Sequence, residues 1–310
     1  MNILLFRDLA AEQVDRLVRE FPAVSFRQTT RKEELAADWA DAIFGNPPAP
    51  MLLGLARLRW LQIVSSGFDE YTALSGSRIV VTTAHGVHAP IIAQHTLATI
   101  LWFARGQPHL AAQQRAHVWD RRPSIPQDLA RQTVGIVGYG EIGRALASML
   151  APIGPRVIAV KREPAPKPPE LAELWSLDRL DELLAASDHV VMTLPITAQT
   201  RGLLDATRVA AMKRGGVLHN VARGGLVDEA ALLARIRDGS LGGAALDVFA
   251  QEPLPTESPW WNEPNVVVTP HLAGHHRDLG IPTLERFRTN LRRYVDGQPL
   301  EHVANFGRGY

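Results

Sequence analysis

Short apolar runs alternating with longer amphipathic stretches set the rhythm of this chain. NILLF at residues 2–6 is such a run, and a helix-like stretch follows over 12–21. Residues 42–44, 61–64 and 78–81 repeat the strand pattern at intervals of roughly 20 residues. The front third therefore reads as a small α/β unit. From Pro90 to about Arg115 the pattern becomes helical, and Ile91, Ile92, Leu97, Leu101 and Trp102 make it mostly apolar. One long buried helix is expected there, linking the first unit to a second.

A second series begins after the polar, proline-containing stretch 120–131. It predicts strands at 133–138, 156–161 and 188–193, helices at 141–151 and 178–186, and further strands near 215–220, 243–247 and 265–268. Strand–helix alternation of this kind folds as a doubly wound parallel sheet, so the fold class is α/β. The proline-rich segment 163–169 reads as a surface loop, and no repeat of solenoid period is visible.

Composition narrows the function. At 310 residues the chain exceeds what one core usually supports, so two domains are expected. Lys plus Arg total 33 against 32 Asp plus Glu, a net charge of +1 that argues against a nucleic-acid surface. With no cysteine, disulfides, thiolate metal sites and a cysteine nucleophile are excluded. No apolar run approaches the roughly 18 residues of a membrane span, and MNILLFRDLA lacks a signal-peptide layout. A cytoplasmic protein without a membrane partner is the expectation.

The sharpest local signal is TVGIVGYGEIGRALASML, which sets Gly138, Gly140 and Gly143 in G-x-G-x-x-G spacing between a strand and a helix. The first glycine permits a tight turn, the second lets backbone approach a pyrophosphate, and the third allows close helix–strand packing. Glu141 and Ile142 open the helix, whose N-terminal N–H groups suit phosphate oxygens. Eighteen residues past Gly143 the next strand ends on Lys161 and Arg162, where an NAD site carries an acid for the ribose hydroxyls. Two cations there suit a 2′-phosphate, so NADP(H) is expected to be preferred, with NAD(H) possible.

Four further motifs follow in order: MTLPITAQTRGLL, MKRGGVLHNVARGGLVDEAAL, GAALDVFAQEPLP and NVVVTPHLAG. Together with the glycine turn they resemble the D-isomer-specific 2-hydroxyacid dehydrogenases, over a span from about Ser65 to the chain's closing RGY. The resemblance implies a reductase of small 2-keto acids, of the NADPH-dependent glyoxylate/hydroxypyruvate reductase type. It implies two Rossmann-like domains: a flavodoxin-like substrate domain at 1–96 and 277–310, and a dinucleotide-binding domain at 97–276.

It also implies roles that the chemistry supports. Arg223 would grip the substrate carboxylate and polarise the ketone. His271 would donate the proton. Glu252 would hold that ring and favour its charged form. In the reverse direction the same pair acts as base. By the same resemblance Asp247 contacts the nicotinamide carboxamide, the backbone around Leu194, Pro195 and Val221 through Ala222 to Arg223 lines the nicotinamide ribose, and His271 also counts among the cofactor-binding residues. Thr200 either caps a helix or contacts the dinucleotide.

On the substrate side Ser66 and Gly67, in SSGFDE, would offer backbone N–H groups to a carboxylate, and His88 either contacts substrate or packs at a helix start. Gln94 stands where the family often has Glu. His271 and His275 are four apart, but no further ligands cluster with them and no metal is expected. Trp260 and Trp261 are expected to supply hydrophobic mass beside the site. The resemblance further implies a homodimer joined through the cofactor domains and an arm at 107–122. Two alternatives stay open, a dinucleotide-sensing corepressor-like protein on this fold and an NAD-linked 2-hydroxyacid dehydrogenase. Steady-state kinetics with both dinucleotides separate the cofactor readings: Arg162→Ala should raise KM for NADPH about tenfold or more while leaving that for NADH nearly unchanged. Tighter use of NADH than NADPH by the unaltered protein would overturn the assignment.

Overall fold

A computed structural model describes residues 1–36, 39–121, 127–163, 166–277 and 280–309. The expected polar stretch 120–131, the loop 163–169 and the end of the arm at Arg122 lie partly outside these residues. In chain order the strands are β1 Asn2–Phe6, β2 Ser25–Gln28, β3 Ala42–Gly45, β4 Trp60–Gln62, β5 Val80–Thr82, β6 Thr133–Val137, β7 Arg156–Lys161, β8 Glu173–Ser176, β9 His189–Met192, β10 Val217–Asn220, β11 Gly243–Leu246 and β12 Val266–Val268. The α-helices are α1 Ala11–Glu20, α2 Ala89–Ala104, α3 Gln107–Arg115, α4 Glu141–Leu150, α5 Leu180–Ala186, α6 Ala206–Ala211, α7 Glu229–Arg237 and α8 Gly280–Val295. Among the described residues no helix is long and apolar enough to cross a membrane.

Two compact units result, Met1–His88 with His276–Tyr310, and Ala89–His275. The first carries a parallel sheet in the order β2-β1-β3-β4-β5, the flavodoxin-like order. Alternate residues feed opposite faces: Ile3, Leu5, Phe44 and Trp60 pack with α1 and α8, while Leu4, Ile43 and Leu61 face the other layer. Phe287 of α8 stacks on Phe44 at 4.4 Å and on Trp60 at 5.6 Å, which binds the last helix to the first strands. The tail closes the far edge, where Ala304 N–H donates to the Val81 carbonyl (2.8 Å).

The second unit is a seven-stranded parallel sheet, β12-β11-β10-β9-β6-β7-β8. Strand order reverses between β6 and β9, and the crevice at the carboxyl ends of such a pair is where doubly wound sheets bind ligands. Both faces are covered: Val157 and Ala159 pack toward α2 and α4, whereas Ile158 and Val160 pack toward α5. The division of the chain falls at the start of α2, not eight residues into it, because the whole helix packs with the second unit.

The single helix expected over 90–115 is two. Gly106 takes φ +65°, a left-handed conformation that ends the helical ladder, and Pro108 suits the first turn of the new helix, α3. The second helix, QPHLAAQQR, buries no side chain, unlike the apolar α2 before it.

Inside the second sheet two histidines are buried side by side. His219 Nε2 lies 3.0 Å from His189 Nδ1, Thr99 Oγ1 is 2.9 Å from His219 Nδ1, and Gln132 Oε1 is 3.3 Å from His189 Nε2. Each ring nitrogen thus has a polar neighbour within 3.3 Å. Burial holds His189 down to about 4, and burial together with its neighbours His189 and His95 holds His219 well below the usual imidazole range. Both groups thus bind a proton more readily when unfolded, so stability is full above about pH 6.5 and is lost as pH falls toward 4. Urea denaturation across this window should show about 1.4 kcal/mol lost per pH unit for each histidine. His189→Asn should flatten that slope by about half; an unchanged slope would show that the pair does not stay neutral on folding.

Candidate active site

At the switch point β6 runs into the glycine turn. Gly138 sits at φ +103°, where a Cβ would lie 2.9 Å from the backbone nitrogen of Leu194, which follows β9. A Cβ on Gly143 would lie 2.8 Å from the Gly138 carbonyl oxygen, whereas one on Gly140 would meet nothing within 4 Å. The outer glycines are thus required by packing, and the middle one leaves backbone open to a ligand, which fits a dinucleotide pyrophosphate. Glu141 turns its carboxylate onto Arg144 and leaves its N–H, with that of Ile142, at the helix start. Lys161, half-buried, ends β7 beside this turn, and Arg162 follows, exposed.

Tyr139, between the first two glycines, donates its hydroxyl to Glu170 Oε1 (2.7 Å), tying the turn to the segment beyond Arg162. Burial, then the Glu170 carboxylate, keeps this phenol firmly protonated, and the phenol in turn holds Glu170 below its ordinary range. Thr200 is buried in its own loop, where its hydroxyl donates to the Pro195 carbonyl and accepts the Thr197 N–H, both at 2.7 Å. Those bonds shape the Leu194–Pro195 segment.

The three residues singled out for catalysis lie beyond β10, β11 and β12, neighbouring strands of one sheet. Arg223 follows β10 and directs Nη1 at the Ala222 carbonyl (2.7 Å). Val221 and Ala222 bury their side chains, while Asn220 folds over the turn, accepting the Ala222 N–H and donating to the Arg223 carbonyl. Glu252 accepts the Phe249 N–H on Oε1 (2.9 Å) and meets His271 Nδ1 with Oε2 (2.7 Å). With Nδ1 held on a carboxylate, Nε2 is the atom left to exchange a proton with a substrate oxygen. The His271 side chain is half exposed.

His271 occupies the left-handed region at φ +53°, a conformation costing about 1–2 kcal/mol for a residue with a Cβ. Asp247 sustains it. The His271 N–H donates to the Asp247 carbonyl (2.8 Å), and the buried Asp247 carboxylate accepts from Thr269 Oγ1 (2.5 Å), Leu272 N–H (2.8 Å) and Ala273 N–H (3.0 Å). The acid expected to touch a nicotinamide is thus also the anchor of the histidine loop.

Gly224, directly after Arg223, packs against the loop that carries Glu252: a Cβ there would lie 1.9 Å from the Phe249 carbonyl carbon. Asn220 and Gly224 escaped the sequence reading, although an Asn at a strand end is a recognisable turn former. Trp260 is buried and Trp261 half exposed, its indole N–H on the Pro255 carbonyl (2.8 Å). His275 belongs to the turn after His271, and among the described residues no group of three or more His, Asp or Glu could hold a metal ion.

In the first unit Ser66 and Gly67 form the turn after β4. Ser66 Oγ donates to the Ala84 carbonyl (3.1 Å) and lies 3.2 Å from His88 Nδ1, while Ser65 Oγ donates to the Gly67 carbonyl (2.9 Å). Asn46, which the sequence reading passed over, steadies this turn by accepting the Val64 N–H (2.9 Å).

Residues 97–273 match the family described as D-isomer specific 2-hydroxyacid dehydrogenase, NAD binding domain. The chain belongs to this family. Among its relatives, D-3-phosphoglycerate dehydrogenase of Mycobacterium tuberculosis is 38% identical over 264 residues, covering 84% of this chain and 49% of that protein. The chain therefore spans about half the length of the curated relatives it matches first. Glyoxylate/hydroxypyruvate reductase B of Yersinia enterocolitica is 35% identical over 324 residues, covering 98% and 97%. Among solved structures, an NADPH-dependent glyoxylate/hydroxypyruvate reductase from Sinorhizobium meliloti, in complex with NADP and sulfate, superimposes with a TM-score of 0.86 at 28% identity, covering 100% of this chain and 99% of that one.

The approach of Gly224 to Phe249 makes a direct prediction. Gly224→Ala must push the two loops apart, an overpacking cost of about 1–3 kcal/mol or more, which lowers the melting temperature by several degrees. A melting curve that matches the unaltered protein would show that the loops separate freely.

Proposed function

We propose that the chain is an NADPH-dependent reductase that converts a small 2-keto acid to the D-2-hydroxy acid, and that it works as a cytoplasmic homodimer. The observation that carries this reading is the Glu252–His271 pair at 2.7 Å, built at the carboxyl end of the same sheet that carries the glycine turn. The dinucleotide, when bound, supplies the hydride. Arg223 holds the substrate carboxylate and draws charge toward the ketone oxygen. His271 Nε2 delivers a proton to that oxygen as it becomes an alcohol, and Glu252 stabilises the imidazolium before transfer. Ser66, Gly67 and His88 are the substrate-side candidates of the first unit.

For the dinucleotide, Gly138, Gly140 and Gly143 with the N–H groups of Glu141 and Ile142 take the pyrophosphate. Lys161 and Arg162 take the 2′-phosphate, and Asp247 with the backbone from Val221 to Arg223 faces the nicotinamide end. The NADP-bound relative from Sinorhizobium meliloti supports the preference for NADP(H), and the full-length match to the Yersinia enterocolitica reductase supports glyoxylate and hydroxypyruvate as the substrate class. For the homodimer, the support is the surface beyond α3, where Trp119 is 89% exposed beside Val118 at 50%.

NADPH oxidation against glyoxylate, hydroxypyruvate, bulkier 2-keto acids and the keto acid of D-3-phosphoglycerate tests the activity, and sedimentation of the same samples reads the assembly. His271→Ala and Arg223→Ala should each lower kcat/KM by about 10²–10⁴-fold while NADPH affinity changes little. Turnover surviving in Arg223→Ala would remove that residue from the reaction. Tight NADPH binding without turnover of any keto acid would favour a dinucleotide-sensing protein.

A further inference from the structure

The peptide between Phe249 and Ala250 lies where the Arg223 and Glu252 loops touch, and a carboxylate outside the catalytic set holds it there. Glu229, the first residue of α7, accepts the Ala250 N–H on Oε1 (2.6 Å) and the Trp260 indole N–H on Oε2 (3.3 Å). Trp260 is buried in the core layer of the second sheet, so one oxygen of Glu229 is pinned from the apolar side. The other faces the backbone. One residue earlier, the Phe249 N–H goes to Glu252 Oε1, which leaves Glu252 Oε2 for His271. Two successive N–H groups thus meet two carboxylates, and both bonds turn on the torsions of Phe249.

We infer that Glu229 is a positioning residue for the proton-donor pair: it fixes the Phe249–Ala250 peptide against Gly224, so that Glu252 reaches His271 Nδ1. This rests on the reading of Glu252 and His271 given above. Releasing Ala250 frees the Phe249 N–H to turn, the Glu252 carboxylate follows it, and the imidazolium of His271 loses its partner. An acid at a helix start also complements the helix dipole, which is a different role with a different signature. Asp228 already caps α7 by accepting the Ala231 N–H (2.9 Å), so the end of the helix is held without Glu229.

Glu229→Gln and Trp260→Phe approach the same link from opposite sides, and the second leaves the helix charge untouched. Both are measured for kcat, KM for NADPH, the pH profile of keto-acid reduction and melting temperature, with Glu252→Gln as reference. Glu229→Gln should lower kcat about tenfold or more, keep KM for NADPH within about twofold, and change the pH profile in the same sense as Glu252→Gln. Trp260→Phe should shift both in the same direction by less, and the double variant should lose less than the product of the single losses. The charge state of the His271 ring, followed by NMR in a pH titration of the NADP-bound protein, reads the same effect without turnover.

Unchanged kcat, pH profile and ring titration in Glu229→Gln would overturn the inference. So would a kcat loss that only tracks weaker NADPH binding and a lower melting temperature. If Glu252→Gln itself leaves the profile and the ring titration unmoved, it is the proton-donor reading that fails; if it shifts both and Glu229→Gln shifts neither, only the role of Glu229 fails.

Discussion

The site depends on a steric constraint, the contact of bare backbone at Gly224 with the Phe249–Ala250 peptide. Parallel strands deliver their following loops to one edge of the sheet, but loops from neighbouring strands need not touch. Here they do, because position 224 has no side chain. The guanidinium of Arg223 and the carboxylate of Glu252 are consequently carried by segments in close backbone contact. Groups that must act on one small molecule gain from being held before it arrives, since no reorganisation is then required during the reaction.

A second coupling joins the loops after β11 and β12. The buried Asp247 carboxylate gathers three donors from residues 269, 272 and 273, and its carbonyl takes the His271 N–H. That concentration of hydrogen bonds offsets the unfavourable backbone of His271 and aims its ring at Glu252. The three catalytic candidates thus belong to one connected set: Arg223 through Gly224, Glu252 through Phe249, and His271 through Asp247.

Much of this was legible in the chain, for a local reason. The glycine turn and the apolar strands of the two sheets are read from neighbours a few positions away, whereas Arg223, Glu252 and His271 stand out as candidates through ordered motifs that resemble a family. What could not be read depends on distant partners. β2, SFRQ, and β8, ELWS, are edge strands without a clear apolar face, and only pairing to β1 and β7 makes them strands. Glu229 finds Ala250 across 21 residues, and Tyr139 finds Glu170 across 31, so neither contact leaves a trace in local spacing. The break at Gly106 was missed for another reason: a glycine is tolerated inside a helix, and only its left-handed φ of +65° ends this one.

The left-handed backbone at His271 also constrains how this chain can change over generations. Few residues with a Cβ accept such a φ, and histidine, asparagine and aspartate are the ones that do so most readily. A descendant that abandoned proton transfer while keeping the fold would drift at position 271 toward Asn, Asp or Gly, since a β-branched replacement would strain the loop that Asp247 anchors. The residue found there in any descendant therefore records separately whether the loop was retained and whether the chemistry was.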